Sequence, residues 1–280
     1  MELREKFRSG TAALALTVGL VLSMAACGGE PSADAGVLVR EATGNANGLL
    51  SCTASMSSTV EFTANAKPYS FQTSHSVAYQ AKPFTLKSTQ KSTAAGAADS
   101  SESYTAADGD KIWFYSNTDG KWQKTAAGNI DTTPIAQVDV LRLLSDVKSE
   151  KYVRETTLNS KSVHKIELTF DSDVLRGTLE SIVTAAGMGQ GSSTIVQSLL
   201  DSADTVYGYC YIDKDSGQLV RVDLDATETV NRVFHNIDGG NVTVNISKCV
   251  LSGTIGDINR AVDVQLPAAA SAAQEVQAQG

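Results

Sequence analysis

The feature that most constrains this fold is an alternation of apolar and polar residues from Thr53 to Lys91. Its apolar members are Met56, Val60 and Phe62, followed by Phe71, Val77 and Tyr79. A period of two is typical of strands that bury one face. Breaks at Lys67-Pro68 and Lys82-Pro83 divide the segment, because proline is poorly tolerated inside a sheet. The segment therefore predicts three antiparallel strands.

Later segments repeat this pattern and are joined by short turns. Asp108-Gly109 and Asp119-Gly120 each predict a hairpin turn, because glycine adopts positive φ at low cost. The small residues from Ser92 to Ser101 predict a loop. Further strands are expected at residues 103–105, 111–115, 121–124, 152–158, 162–170, 205–213, 219–235 and 242–246.

Helical spacing appears at three places between the strands. A first helix is predicted within Val37–Cys52, and a second begins at Thr133-Pro134, where proline suits the first turn. Two short amphipathic helices follow, joined by the glycine-rich segment Gly187–Ser193. Their apolar stripes are Leu175, Leu179, Ile182, Val183 and Ala186, then Val196, Leu199, Leu200 and Ala203.

Mostly short connections favour an antiparallel meander. A sheet of this size curls through its own twist and leaves a hollow that helices must cover. The predicted fold class is α+β: a curved antiparallel meander sheet, or half-barrel, with helices covering its concave face.

The N-terminal residues indicate where the protein is located. A basic lead precedes an apolar run at 11–22 that is too short to span a bilayer, and an Ala-Ala pair then precedes Cys27. This resembles a bacterial lipoprotein signal, with Cys27 as the acylated first residue of the mature protein. Met24 departs from the usual Leu, Val or Ile, and an ordinary secretory signal is the alternative.

Four regions are expected on this basis. They are a lipoprotein signal peptide at 1–26, a flexible stalk at 27–35, a folded domain at 36–267 and a disordered tail at 268–280. The expected location is the cell membrane, lipid-anchored and extracytoplasmic, with the membrane as a partner through the N-terminal lipid.

Charge and cysteine usage exclude some functions. A net charge of −8 argues against a nucleic-acid partner and against a domain lying flat on anionic lipid. Outside the cytoplasm, one disulfide among Cys52, Cys210 and Cys249 is plausible, and buried thiols are the alternative. If residues 219–235 form one strand, Cys210 and Cys249 lie too far apart to bond, which leaves Cys52–Cys249 as the least unfavourable pair.

Turn-and-strand segments carry a family resemblance. The first runs from Asp108–Trp113 to Gly120-Lys121-Trp122, and the second is Tyr211–Val220. The third is Gln265-Leu266-Pro267, which small residues follow. Together with the order of elements, they resemble the LolA/LppX-type carrier fold, and most closely uncharacterised Gram-positive lipoproteins of that superfamily. The resemblance implies a cradle for a hydrophobic ligand in the cell envelope. It implies no catalytic residue.

No pattern of residues indicates catalysis. His75, His164 and His235 lie far apart in separate predicted strands, and no nucleophile and base can be paired. Gly187–Gly191 lacks the Lys-Ser/Thr of a phosphate loop, and no zinc motif is present. Asp213–Gly217 fits a hairpin turn better than a calcium loop. The chain is therefore predicted not to be an enzyme and to need no cofactor or metal.

The two amphipathic helices give the main functional hypothesis. Short helices on a glycine-rich joint depend on docking for stability and can open as a lid. The residues expected to line or close an apolar cavity are Leu175, Leu179, Ile182, Val183, Val196, Leu199 and Leu200. The protein would then bind or carry a hydrophobic ligand or a lipidated partner. The alternative is a ligand-free surface scaffold or interaction module whose core these residues fill, and an envelope hydrolase comes third.

A tyrosine strip allows a second interpretation of a surface. Tyr207, Tyr209 and Tyr211 share one face of a predicted strand. Strand propensity explains them, and a ligand-facing wall or a partner contact is the functional alternative.

Overall fold

The structure is a computed structural model that describes residues 33–94, 96–188, 192–203, 205–236 and 242–276. The predicted signal peptide and Cys27 lie outside these residues. Within the described ranges, no helix is long and apolar enough to cross a membrane.

Twelve strands of the described residues form one sheet. They are β1 (Ser51–Ala64), β2 (Lys67–Ala81), β3 (Phe84–Ala94), β4 (Ala97–Asp108), β5 (Lys111–Thr118), β6 (Lys121–Ala126), β7 (Val147–Leu158), β8 (Lys161–Phe170), β9 (Val206–Asp213), β10 (Leu219–Asp225), β11 (Val244–Gly256) and β12 (Gln274–Glu275). Their spatial order is β12-β6-β5-β4-β3-β2-β1-β11-β10-β9-β8-β7, so the sheet has two edges and does not close into a barrel. Only β12 and β6 pair in parallel. The predicted α+β class with a curved antiparallel sheet is confirmed.

Seven helices accompany these strands in the described residues. They are α1 (Ala35–Asn47), α2 (Pro134–Gln137), α3 (Asp139–Arg142), α4 (Arg176–Ala185), α5 (Ser192–Ser202), α6 (Thr227–Asn236) and α7 (Ala268–Ser271), with 3₁₀ turns at Leu143–Asp146 and Ser172–Leu175. The Asp34 side chain accepts a hydrogen bond from the Val37 amide and caps α1. The first helix thus begins inside the predicted stalk, and Cys52, placed in it from the sequence, belongs to β1.

One face of the sheet is covered by helices. Val60, Phe62 and Tyr79 point to this side and join its main core, as the alternation predicts. Gly253 on β11 allows α3 to approach closely, because a Cβ atom there would lie 2.8 Å from Val140 Cγ2. This close approach places the first residue of α3, Asp139, over the sheet.

The C-terminal segment packs on the opposite face of the sheet. Disorder is predicted after Pro267, but the structure has α7 and β12 there. Ala270 is fully buried in a second core with Tyr104, Trp113 and Tyr115. Aromatic rings on this face offer an apolar surface that a small-residue segment can cover, which composition alone did not indicate. Residues 277–280 of the predicted tail lie outside the described residues.

Two secondary-structure predictions are wrong. The expected strand at 219–235 ends at Asp225, and the chain continues as α6. The carboxylate of Asp225 accepts a hydrogen bond from the Thr227 amide at 3.0 Å, which favours a helix start. The expected loop at 92–101 is a hairpin, since β3 and β4 pair up to Ala94 and Ala97.

The shorter β10 also changes the cysteine geometry. Val222 lies opposite Cys210, and the carbonyl of Cys249 accepts a hydrogen bond from the Ala226 amide. Cys52, Cys210 and Cys249 are all buried free thiols, so neither pairing considered from the sequence forms a disulfide here.

Candidate ligand site

The candidate ligand site is defined by the helix pair, meaning α4 and α5. The core-facing side chains of the pair and the preceding 3₁₀ turn are 0–5% exposed. They are Leu175, Leu179, Ile182, Val183, Val196, Leu199 and Leu200, the seven residues predicted from the sequence. All belong to the main core between the helices and the sheet. The structure therefore brings the seven together on one side of the sheet.

The pair forms a unit of its own. Arg176 at the start of α4 donates hydrogen bonds to Asp173 in the preceding turn and to Gln197 on α5. Gln197 in turn donates to Asp201, one helical turn further on. The backbones of α4 and α5 lie closest to each other, to the preceding turn and to α6. Apolar side chains thus make the described attachment of the pair to the sheet.

The tyrosine strip does not face this core. Tyr207 is 56% exposed on the face opposite the main core, where Tyr209 and Tyr211 follow it at alternate positions of β9. Lys165 Nζ lies 3.8 Å from the ring centroid of Tyr209 and 5.8 Å from that of Tyr211. The strip is therefore a surface feature with a cation over its rings, and it does not form a wall of the core beneath the helix pair.

A separate recess of about 690 Å³ lies on the face of the sheet opposite the main core. Its lining includes hydroxyl side chains and three cations: Thr53, Ser55, Ser76, Thr89, Thr254, Lys87, Lys161 and Arg221. Lys87 pairs with Glu102, Lys161 with Asp213 and Arg221 with Asp223. None of the seven predicted site residues lines this recess. Ala54, Val77, Ala78, Leu158, Val220 and Ile255 also line the recess, so its wall is a mixture of polar and apolar groups.

Burial keeps the core thiols neutral. Loss of solvation raises the pKa of Cys52 and of Cys249 to about 11 and that of Cys210 to about 12. A thiol with so high a pKa is a poor nucleophile and metal ligand. Within the described residues, no group of three or more His, Cys, Asp or Glu side chains could hold a metal ion.

One polar cluster was missed from the sequence. His75 on β2 contacts Asp139 on α3 and Ser88 on β3, at 2.8 Å and 2.6 Å. No sequence pattern indicates this cluster, because its residues come from three elements whose register is set by the folded sheet. Only the parity of His75 and Ser88 with buried neighbours indicates the face that they share.

Comparisons with known proteins found similarity to solved structures. No family model and no curated protein matches the chain. Among solved structures, lipoprotein LppX from Mycobacterium tuberculosis is 18% identical, with 82% of this chain and 97% of that one covered at a TM-score of 0.41. LprF from Mycobacterium bovis is 12% identical, with 82% and 95% covered at 0.44. A LolA-superfamily protein from Nitrosomonas europaea is 12% identical, with 83% and 94% covered at 0.21. LppX and a LolA-superfamily protein are among these similar structures, and a closer relation to Gram-positive lipoproteins stays a prediction.

Proposed function

We propose that this protein is an extracytoplasmic binder of an apolar ligand, anchored to the membrane through a lipid on Cys27. The observation that carries the proposal is the attachment of the helix pair to the sheet. Its seven core-facing side chains are apolar, while its described polar side chains bond within the pair and its preceding turn. Apolar contacts have no fixed direction, so the pair can separate from the sheet without leaving buried polar groups unpaired.

On this proposal, the structure corresponds to the closed state. An apolar molecule between the pair and the sheet replaces the contacts that opening breaks. Its affinity comes from buried apolar area, at about 25 cal/mol per Å². A hydrophobic ligand class follows from the side chains, whereas the particular molecule is for experiment to identify.

Native mass spectrometry tests ligand binding directly. Residues 28–280, purified from the host of this protein, should carry a lipid-sized mass at one copy per chain. Delipidated protein should take up cis-parinaric acid with a rise in fluorescence. A protein that carries no such mass and takes up no probe would instead be the ligand-free scaffold.

A matched pair of variants tests the position of the site. Val196 on α5 and Val230 on α6 are both buried valines of the same core. Val196→Ala and Val230→Ala should each lower the free energy of unfolding by on the order of 1–3 kcal/mol. Only Val196→Ala should accelerate release of the bound probe, because α6 stays in place when the pair opens. Equal release rates in both variants would argue against opening at the helix pair.

The lipid anchor needs its own test. Cells fed an alkyne analogue of palmitate should label the full chain, and Cys27→Ala should abolish the label. One or two acyl chains would hold the domain at the membrane through burial of about 0.8 kcal/mol per CH₂ group. An unlabelled wild-type chain found in the medium would instead indicate an ordinary secretory signal.

A further inference from the structure

Three polar side chains on the helix-facing side of the sheet form a continuous hydrogen-bond chain. Ser88 Oγ lies 2.6 Å from His75 Nε2, and His75 Nδ1 lies 2.8 Å from Asp139 Oδ2. We call Ser88, His75 and Asp139 the polar triad. In Ser-His-carboxylate hydrolases, the same connectivity lets the ring take the hydroxyl proton while the carboxylate orients the ring.

Sheet register and a helix start bring the triad together. Val77 on β2 lies opposite Ser88, and His75 is two residues away on the same face of β2. Ser88 and His75 are therefore diagonal neighbours across two paired strands. Asp139 reaches them from the first residue of α3, which Gly253 allows to lie close to the sheet.

The Asp139 carboxylate is ionised, as its role in orienting the His75 ring requires. The hydrogen bond with His75 holds the pKa of Asp139 below its ordinary value, Arg142 at 2.7 Å acts in the same direction, and partial burial opposes both. Ionised Asp139 can only accept, so the ring nitrogen that faces it carries the proton. In the neutral form of the ring, Nε2 of His75 then presents its lone pair to the Ser88 hydroxyl.

The triad is within reach of a small substrate. The side chains of His75 and Asp139 remain 31% and 25% exposed, and Ser88 is only partly buried. Gln90 follows Ser88 on the same face of β3 and is exposed, so its amide can donate to a carbonyl oxygen near Ser88. Phe114, also on this face of the sheet, is 42% exposed and offers an apolar surface for an acyl chain.

We propose that the polar triad hydrolyses carboxylic esters of short acyl chains, with Ser88 as nucleophile and His75 as general base. Ser88 Oγ bonds to the ester carbonyl carbon while His75 Nε2 takes the hydroxyl proton. The ester C–O bond then breaks, and the departing alkoxide receives that proton as an alcohol. Water attacks the acyl carbon, His75 takes a proton from it and returns it to Ser88 Oγ, and the carboxylic acid leaves. Asp139 is a positioning residue, since it acts through the ring.

This activity is independent of ligand binding at the helix pair. None of its residues belongs to the seven core-facing side chains of the pair. A protein that fails to bind cis-parinaric acid could still cleave esters, and the reverse also holds. The two proposals therefore fail separately.

Covalent labelling of the full-length protein in non-ionic detergent tests the proposal. A fluorophosphonate should add one mass equivalent, and peptide mapping should place it on Ser88. The wild-type chain should also hydrolyse p-nitrophenyl butyrate. Ser88→Ala should lose the label, and Ser88→Ala and His75→Gln should each lower the hydrolysis rate by at least about 100-fold. Ser92→Ala, on the same strand and face, is the control and should leave label and rate unchanged.

Two readouts separate chemistry from folding. Asp139→Asn should lower kcat per folded chain with little change in KM, where circular dichroism gives the folded fraction. A loss of folded protein would lower the total rate but leave the rate per folded chain unchanged. Mapping the adduct on the wild-type chain needs no variant, so it remains decisive if Ser88→Ala fails to fold. A wild-type chain without an adduct on Ser88, or hydrolysis that persists in Ser88→Ala, would overturn the proposal.

Discussion

The helix pair and helix α6 cover the same face of the sheet with similar apolar stripes, yet they are attached in different ways. α6 buries Val230, Val233 and Phe234 as deeply as the pair buries its seven side chains. The side chain of Asn231, between them, also accepts a hydrogen bond from the backbone amide of Ile246 on β11 at 2.9 Å. Burial alone would rank the two regions as equally fixed.

A second polar bond strengthens the contrast. Thr227 Oγ1 at the start of α6 accepts from the backbone amide of Cys249, also at 2.9 Å and also on β11. Lifting α6 would leave these amides without a protein acceptor, at a cost of about 1–3 kcal/mol for each that stays buried. The described polar bonds of α4 and α5 stay within the pair and the preceding turn, so lifting the pair carries no such penalty. Directional hydrogen bonds to the sheet, more than buried area, therefore distinguish a fixed helix from a movable one.

The largest expected effect is on the free energy at which the helix pair opens away from the sheet. Leu199→Ala on α5 should lower the opening free energy of the pair by about 2–5 kcal/mol, because it removes a fully buried leucine. Native-state hydrogen exchange measures this, since amides of α4 and α5 should exchange through partial opening while those of α6 need global unfolding.

The control for this experiment is Val233→Ala on α6. It should lower the exchange free energy of α6 amides and leave that of the pair unchanged, because α6 remains packed in the open state. Equal exchange free energies for the pair and α6 in the wild-type chain would mean that the two regions open together.

A smaller effect is expected from the polar anchor of α6. Asn231→Ala leaves the Ile246 amide without its acceptor and should lower the free energy of unfolding by about 1–3 kcal/mol. Gln197→Ala on α5 removes an exposed side chain that bonds to Asp201 and to Arg176 within the pair, and it should change the free energy of unfolding by less than about 0.5 kcal/mol. Urea denaturation measures both values, and a cost for Gln197→Ala as large as that for Asn231→Ala would erase the distinction between the regions.

Sequence reasoning found the apolar stripes of the pair but mistook α6 for a strand. In β1 the alternation sufficed because buried residues recur along one face, and in β2 and β3 two buried residues each mark the same face: Val77 and Tyr79, then Phe84 and Leu86. Residues 227–235 contain β-branched residues and alternate over short stretches, which hid the helical spacing of Val230, Val233 and Phe234. The Asp225 carboxylate, which accepts from the amide of the first residue of α6, was the available signal.

The chemistry of the site was less predictable than the fold. The seven residues of the pair form a visible stripe, but the polar anchors of α6 depend on which amides of β11 lie beneath it. The polar triad joins residues 13 and 64 positions apart, so neither spacing nor composition pairs them. Sequence periodicity reports which face is buried, and it does not report which polar groups meet there.

The smallest expected effect concerns the hydrogen bond between α3 and the sheet. Asp139 ties α3 to His75 on β2, and that hydrogen bond holds the pKa of Asp139 below its unfolded value. The unfolded chain therefore binds this proton more readily, so the stability that Asp139 contributes is present above the unfolded pKa of about 4 and is lost as pH falls through the folded pKa. Asp139→Asn should lower the free energy of unfolding, measured by urea denaturation at pH 7, by about 1 kcal/mol or less. It should also flatten the decline of that free energy between about pH 5 and pH 3. Asp173→Asn, which breaks the exposed pair with Arg176, is the control and should leave the profile close to that of the wild type. If Asp139→Asn keeps the full acid slope, the attachment of α3 depends on its apolar contacts, as that of the helix pair does.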